Sequence, residues 1–204
     1  MTTTTPAPSA VADLADRLAV VAGVNAVVTI DPDQGDNACA YAACAPRIAV
    51  GDITSPDAMA GTLAHEFAHV RLGHLAGDRL WSTISRWAAY SLAVTVLVAV
   101  YALGTGEFVL RLLAVEALTL LLARLLAAAE SRVEECDADA EAARLLDSLG
   151  CDGRAAVAAY LATPDPWWYR AFGWLFGAHP TTAARIRRIR RNANARPVVA
   201  HRAG

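Results

Sequence analysis

An uncharged segment of 18 residues, from Trp87 to Gly104, constrains the fold of this chain more than any other feature. As an α-helix it is roughly 27 Å long, close to the hydrocarbon thickness of a bilayer. A second apolar segment, residues 108–129, follows a Gly-Thr-Gly turn and contains three charged residues, among them Glu116. Only 19 % of all residues are charged, against about 25 % in ordinary soluble proteins. We therefore predict a transmembrane helical hairpin over residues 84–129; the alternative is a buried helical hairpin in a soluble bundle.

The residues before this hairpin contain the sequence H-E-x-x-H, formed by His65, Glu66 and His69. The surrounding pattern predicts a helix from about residue 56 to residue 75. In a helix, His65 and His69 project from the same face, so both imidazoles can bind one metal ion. Glu66 lies to one side, where it can contact a water molecule held by the metal. The motif predicts a zinc-dependent hydrolase, and the alternative is a pair of structural histidines inside a helix.

A catalytic zinc site takes three protein ligands and leaves one position open, so a third ligand is required. His74 lies nine residues after His65, about 180° around a continuous helix, and is interpreted as a residue near the membrane interface. A carboxylate from the acidic segment after the hairpin is the better candidate, although such a segment can also be a solvated face. Glu135 has a second carboxylate, Asp139, four residues later, which can accept a hydrogen bond from a ligand histidine. We therefore predict His65, His69 and Glu135 as the ligands of one zinc ion per chain.

Three motifs in this order resemble the HtpX/CAAX-protease family of membrane-embedded zinc metallopeptidases: HEFAHVRLGH, SRVEECDAD and HPTTAARI. The resemblance spans about residues 25–190. It implies an α+β, mostly helical fold, in which a zincin-like catalytic domain with a small β-sheet is interrupted by a transmembrane helical hairpin. It also implies roles for seven residues: zinc binding by His65, His69 and Glu135, support of the ligands by Asp139, proton transfer by Glu66, and oxyanion stabilisation by His179 and Arg185.

Two short strands are predicted before the H-E-x-x-H helix, at residues 38–42 and 46–51. Asn37 and Ala38 resemble a segment found on an edge strand upstream of the motif in that family. An edge strand can bind an extended peptide by adding it to the sheet. We therefore predict Asn37, Ala38 and Ala40 as substrate-binding residues; the alternative is an ordinary core strand.

The two ends of the hairpin must lie on the same side of the membrane, because predicted zinc ligands both precede and follow it. Arginines concentrate at that end, so positive-inside reasoning places the catalytic domain in the cytoplasm of a membrane protein with two spanning helices. The predicted organisation is a disordered N-terminal tail (1–10), a first half of the metallopeptidase domain (11–80), the hairpin (84–129), a second half (130–192) and a C-terminal tail (193–204).

The predicted activity is peptide-bond hydrolysis by a membrane-anchored zinc endopeptidase, in membrane-protein quality control or in processing. Its expected partners are a polypeptide substrate and the lipid bilayer, whose anionic headgroups suit the basic C-terminal helix better than nucleic acid does; no oligomeric state is predicted. One alternative is a BlaR-type signal-transducing membrane metallopeptidase, which does not need the H-P-x-x-x-x-R element. Another is a zinc-holding membrane scaffold without turnover, which does not need Glu66.

Overall fold

The computed structural model describes residues 8–34, 38–41, 45–75, 80–101, 106–176 and 179–194. Within these ranges the elements are α1 (Pro8–Ala22), β1 (Val27–Ile30), a 3-10 turn (Pro32–Gln34), β2 (Ala38–Tyr41), β3 (Arg47–Val50), α2 (Pro56–Leu72), α3 (Leu80–Tyr101), α4 (Glu107–Ser148), α5 (Gly153–Tyr160), α6 (Trp167–Phe176) and α7 (Thr182–Asn194). The predicted class, α+β and mostly helical with a small sheet, is confirmed.

The chain divides into two compact units. The first unit comprises Met1–Leu75, Glu135–Asp165 and Thr181–Gly204, and the second comprises Ala76–Glu134 and Pro166–Pro180. Helix α4 is continuous from Glu107 to Ser148. The boundary predicted between residues 129 and 130 therefore falls inside a helix. At the N-terminus, α1 begins at Pro8, so the last three residues of the predicted tail are helical.

The sheet of the first unit has the strand order β1-β3-β2. The central strand β3 is parallel to β1 and antiparallel to β2. Its residues Ile48, Ala49 and Val50 are all buried, as expected for a strand covered on both faces. The strand β2 lies at an edge, with Ala38 opposite Val50 and Ala40 opposite Ile48.

The core of the first unit joins α1, the sheet, α2, the C-terminal part of α4, and α5. Helix α1 contributes Val11, Ala15, Leu18 and Ala22, whose spacing of three and four residues forms one apolar face. The other large side chains that are fully buried there include Leu63, Phe67, Leu145, Leu146 and Val157.

Helix α2 approaches α5 closely because residue 61 is a glycine. A Cβ atom at Gly61 would lie 2.2 Å from the carbonyl oxygen of Ala156, far inside van der Waals contact. The N-terminus of α2 is capped by Ser55, whose hydroxyl oxygen accepts the amide of Ala58 at 3.3 Å. Helix α2 therefore begins at Pro56, where the sequence predicts its start.

Helix α2 ends at Leu72, three residues before the predicted end. Gly73 adopts the left-handed conformation with φ of 75°. Its amide donates to the carbonyl of Val70 at 3.2 Å, and the amide of His74 donates to the carbonyl of His69 at 3.0 Å. This pair of bonds is a Schellman motif, which turns the chain away from the helix axis.

The second unit contains α3, α6 and the part of α4 up to Glu134. Among the described residues, one helix is long and apolar enough to cross a bilayer, namely α4 from Leu110 onward, which contains an 18-residue segment with a mean hydropathy of 2.0. The described apolar part of α3, Arg86–Val98, is shorter. Within the described chain, one of the two predicted spans is therefore long and apolar enough to cross a bilayer. Gly104 and Thr105 of the predicted turn lie outside the described residues.

Candidate metal centre

Helix α2 places His65 and Glu66 in the interior of the first unit, and His69 is half-buried beside them. His65 is 2 % exposed and Glu66 is 8 % exposed. The Nε2 atoms of His65 and His69 lie 3.0 Å apart, and the two rings meet edge to face with centroids 4.6 Å apart. The spacing of four residues in a helix accounts for this convergence, since it separates the two side chains by one turn.

Glu135 of α4 completes a group of three potential metal ligands with the two histidines. Its carboxylate oxygens lie 3.4 Å from Nε2 of His65 and 3.5 Å from Nε2 of His69. Three ligand atoms placed tetrahedrally at about 2.0–2.2 Å from a zinc ion are separated by about 3.3–3.6 Å. The observed separations of 3.0–3.5 Å therefore fit one zinc ion with a position left for water or substrate.

Asp139 and Arg185 lie beside Nδ1 of His65, the ring nitrogen opposite the Nε2 atom of the ligand group. Asp139 Oδ1 is 3.1 Å from Nδ1 of His65. The guanidinium of Arg185 donates two hydrogen bonds to Asp139, from Nε at 2.7 Å and from Nη2 at 2.6 Å. With Nδ1–H of His65 donated to Asp139, the Nε2 lone pair of His65 is directed at the site, as metal binding requires.

Charge interactions set the protonation of this group. Burial alone would raise the pKa of Asp139, but hydrogen bonds from Arg185 and His65 lower it below its usual range, so Asp139 is ionised. Burial acts to lower the pKa of His65, yet its hydrogen bonds to Asp139 and Glu135 raise that pKa well above its usual value. The carboxylates of Glu135 and Asp139 lie beside His65 and favour a cation at this position.

The sequence profile of peptidase family M48 matches residues 9–193, nearly the whole chain. The chain belongs to peptidase family M48. The family resemblance inferred from the three motifs is confirmed at family level, and M48 peptidases are metal-dependent.

Among solved structures, the M48 chain is similar to the crystal structure of S. mikatae Ste24p, with 17 % sequence identity and a TM-score of 0.46. The match covers 89 % of this chain and 48 % of Ste24p, so the chain spans about half the length of that protein. No curated protein sequence matches the chain.

Two side chains near the site of this M48 chain were not predicted to contact it. The ring of Tyr160, on α5, packs 5.3 Å from the ring of His65, and the guanidinium carbon of Arg185 lies 5.4 Å from the Tyr160 ring centroid. His74 contacts His69, with their Nδ1 atoms 2.9 Å apart. No local sequence signal marks Tyr160, because its position depends on the close approach of α2 and α5. For His74 the signal was Gly73, which ends the helix.

The remaining predicted site residues are placed as follows. Arg185 is buried and contacts both Asp139 and Glu135, the latter at 3.4 Å. His179 belongs to the second unit, where its side chain is exposed and its carbonyl oxygen accepts the hydroxyl of Tyr169 at 2.6 Å.

On the edge strand β2, Ala38 is buried and Ala40 is half-buried. Asn37, the third residue predicted to bind substrate, lies outside the described residues. The edge position leaves one side of β2 without a neighbouring strand among the described residues of the sheet. An extended peptide could pair with that side by backbone hydrogen bonds, so the predicted role remains a prediction.

Proposed function

We propose that the chain is a zinc-dependent endopeptidase that hydrolyses peptide bonds. The observation that carries this proposal is the convergence of two imidazole Nε2 atoms and one carboxylate at mutual distances of 3.0–3.5 Å in a buried position. Imidazole and carboxylate are a donor set that zinc takes in hydrolytic enzymes, with one position left open. The family membership supports the same reading, since M48 is a family of metal-dependent peptidases.

In this proposal His65, His69 and Glu135 hold one zinc ion per chain. When bound, zinc lowers the pKa of water and polarises the scissile carbonyl group. Glu66, which binds no metal, accepts a proton from the attacking water and donates a proton to the leaving amine. Asp139 keeps His65 in the ligand tautomer by accepting its Nδ1–H, and Arg185 holds Asp139 in place with its two hydrogen bonds.

Two further groups are assigned to the reaction in the same proposal. His179 and Arg185 stabilise the negative charge that develops on the carbonyl oxygen, by donating hydrogen bonds to it. The edge strand β2, with Asn37, Ala38 and Ala40, aligns the substrate backbone. The buried contact of Arg185 with Asp139 supports a second contribution of Arg185, which is to orient His65.

We further propose that the second unit anchors the enzyme in the cell membrane with two helices, and that the catalytic domain is cytoplasmic. Large apolar side chains on α3 and α4 support this anchoring because they are exposed; they include Trp87, Tyr90, Val94, Leu97, Val115, Leu118 and Leu122. A large exposed apolar surface of this kind is stable in lipid and unfavourable in water. The proposed organisation keeps the hairpin at 84–129 between the two catalytic halves, with the first half beginning with α1 at Pro8 and the second half ending with α7 at Asn194.

The proposed substrates are polypeptides, which the enzyme would cleave in membrane-protein quality control or in processing. The test is zinc analysis of detergent-purified protein combined with cleavage of casein before and after treatment with a chelator. We expect about one zinc per chain, activity that the chelator removes, and recovery when zinc is returned. Activity that persists in the metal-free protein contradicts the proposal.

A further inference from the structure

We infer that His74 is a positioning residue for zinc binding: it accepts a hydrogen bond from Nδ1–H of His69 and so directs the Nε2 lone pair of His69 at the metal. This inference rests on the proposed zinc site. It assigns His74 neither a ligand role nor a passive position at a membrane interface. His74 lies two residues after the end of α2. This support of His69 therefore does not come from the acidic segment of α4 that contains Glu135 and Asp139.

The geometry identifies which nitrogen of each ring takes part. The Nδ1 atoms of His69 and His74 are 2.9 Å apart, and the ring planes are inclined at 66° with centroids 5.0 Å apart. The opposite nitrogen of His69, Nε2, is the one that lies 3.0 Å from Nε2 of His65 and 3.5 Å from Glu135. His69 therefore presents one nitrogen to the ligand group and the other to His74.

The tautomers follow from this arrangement. A neutral imidazole has one N–H group and one lone pair, so a bond between two Nδ1 atoms needs one donor and one acceptor. Metal binding requires the lone pair of His69 on Nε2, which places its hydrogen on Nδ1. His74 must then accept with its Nδ1 and carry its own hydrogen on Nε2. His74 thus serves His69 as Asp139 serves His65.

The end of helix α2 explains how His74 comes to lie beside His69. Five residues along a continuous helix correspond to a rotation of about 140°, which would direct residue 74 away from residue 69. Gly73 ends the helix in the left-handed conformation, and the amide of His74 returns to the carbonyl of His69 at 3.0 Å. The same Schellman motif that terminates α2 therefore positions the His74 ring against the His69 ring.

The experiment is a competition titration of zinc against a chelating indicator, using the full-length, metal-free protein in detergent. Loss of a hydrogen-bond partner of a metal-bound histidine weakens metal binding by about 10–100-fold, and we expect this for His74→Ala and His74→Phe. In His74→Asn the amide oxygen occupies a place close to that of Nδ1 and can accept the same bond. We expect zinc affinity within about threefold of the wild type for His74→Asn. Leu72→Ala, an exposed residue of the same helix end, is the matched control and should bind zinc like the wild type.

The outcomes separate this inference from the proposed function. If the wild type binds zinc and His65→Ala abolishes binding, the zinc site exists; equal affinities of wild type and His74→Phe then overturn the inference alone. Equal weakening in Leu72→Ala, His74→Asn and His74→Phe also overturns it, because that result describes a disturbed helix end and not a hydrogen bond. If the wild type binds no zinc, the proposed function fails and the role of His74 fails with it.

Discussion

The two units of this molecule differ in where they place charged and apolar side chains. In the first unit, Glu135, Asp139 and Arg185 are buried, and each contacts a charged or ionisable neighbour. In the second unit, large apolar side chains are exposed along α3 and α4, and the carboxylate of Glu116 accepts hydrogen bonds from two hydroxyl groups. The two units therefore differ in what they bury: the first unit buries charged side chains with partners, and the second unit leaves apolar side chains exposed.

Each arrangement has its own physical requirement. Removing a charge from water costs several kcal/mol per ion unless other charges and hydrogen bonds offset the loss. In the first unit, the contacts of Glu135, Asp139 and Arg185 with one another and with His65 offset this cost. Exposing apolar side chains is unfavourable only if the surroundings are water. The second unit therefore fits a lipid environment, in which the proposed enzyme would be anchored.

The largest expected effect is the loss of the metal from the first unit. Glu135→Ala removes one of three ligands and should reduce the zinc content from about one per chain to nearly none after dialysis against a weak chelator. Glu134→Ala, the neighbouring carboxylate on the same helix, should keep its zinc. Metal analysis of the two purified variants decides between them. A variant of Glu135 that retains zinc while His74→Ala loses it would show that the third ligand is misassigned.

Glu66→Gln should strongly reduce peptide-bond hydrolysis and leave the metal site and its buried charged neighbours intact. The amide cannot accept the proton of the attacking water, so cleavage of casein should fall by about 10²–10⁴-fold. Zinc content should stay near one per chain, because Glu66 is not a ligand. Near-normal cleavage by this variant would contradict proton transfer by Glu66. Loss of zinc from the variant would show that Glu66 contributes to metal binding.

The topology of the second unit can be tested by cysteine labelling in intact cells. With the native cysteines removed, a cysteine at Gly106 should react with an impermeant reagent, and cysteines at Ser9 and Arg196 should react only after permeabilisation. The reason is that an uncharged helix of this length spans the bilayer while arginine-rich flanks resist translocation. Protection of position 106, together with release of the protein by carbonate, would contradict the membrane anchor and leave the metal centre intact.

The Asp139–Arg185 pair predicts a pH dependence of stability in the metal-free protein. The pKa of Asp139 is lowered in the folded state, so the pair stabilises the fold above the unfolded-state pKa of about 4 and loses this contribution as the pH falls through the folded-state value. Below about pH 5 His65 is protonated in both states and adds no slope.

Asp139→Asn should therefore be about 3–5 kcal/mol less stable than the wild type at pH 7, the usual effect of removing one partner of a buried pair. The difference should shrink between pH 5 and pH 2, as measured by denaturant unfolding. A difference that is independent of pH would show that the lost stability comes from packing and not from charge.

The smallest expected effect concerns Glu116 in the second unit. Its Oε1 accepts hydrogen bonds from Ser91 at 2.7 Å and Thr95 at 3.0 Å, which joins α3 to α4. Glu116→Leu should lower the stability in detergent by about 0.6–2 kcal/mol, the range for hydrogen bonds between membrane helices. Glu116→Gln retains an acceptor oxygen and should lose less. Zinc content should be unchanged in both variants, and a parallel loss of zinc would connect the two units functionally.

Local features of this protein were readable from its sequence because they depend on neighbours along the chain. The start of α2 follows from Ser55 and Pro56, and the shared face of His65 and His69 follows from helical geometry. The apolar character of α3 and α4 follows from composition. The preference for a carboxylate as third ligand came from zinc chemistry, and Glu135 was identified by its spacing from Asp139 and by the family resemblance.

Other features depend on contacts between distant parts of the chain, and only the tertiary structure decided them. Arg185 reaches Asp139 across 46 residues and thereby takes part in orienting His65. Tyr160 reaches the site because Gly61 lets α5 approach α2. His74 was excluded as the third ligand because the helix was predicted to continue to about residue 75. The left-handed turn at Gly73 instead places His74 against His69, because the direction of a side chain after a helix depends on how the helix ends and not on the helical period.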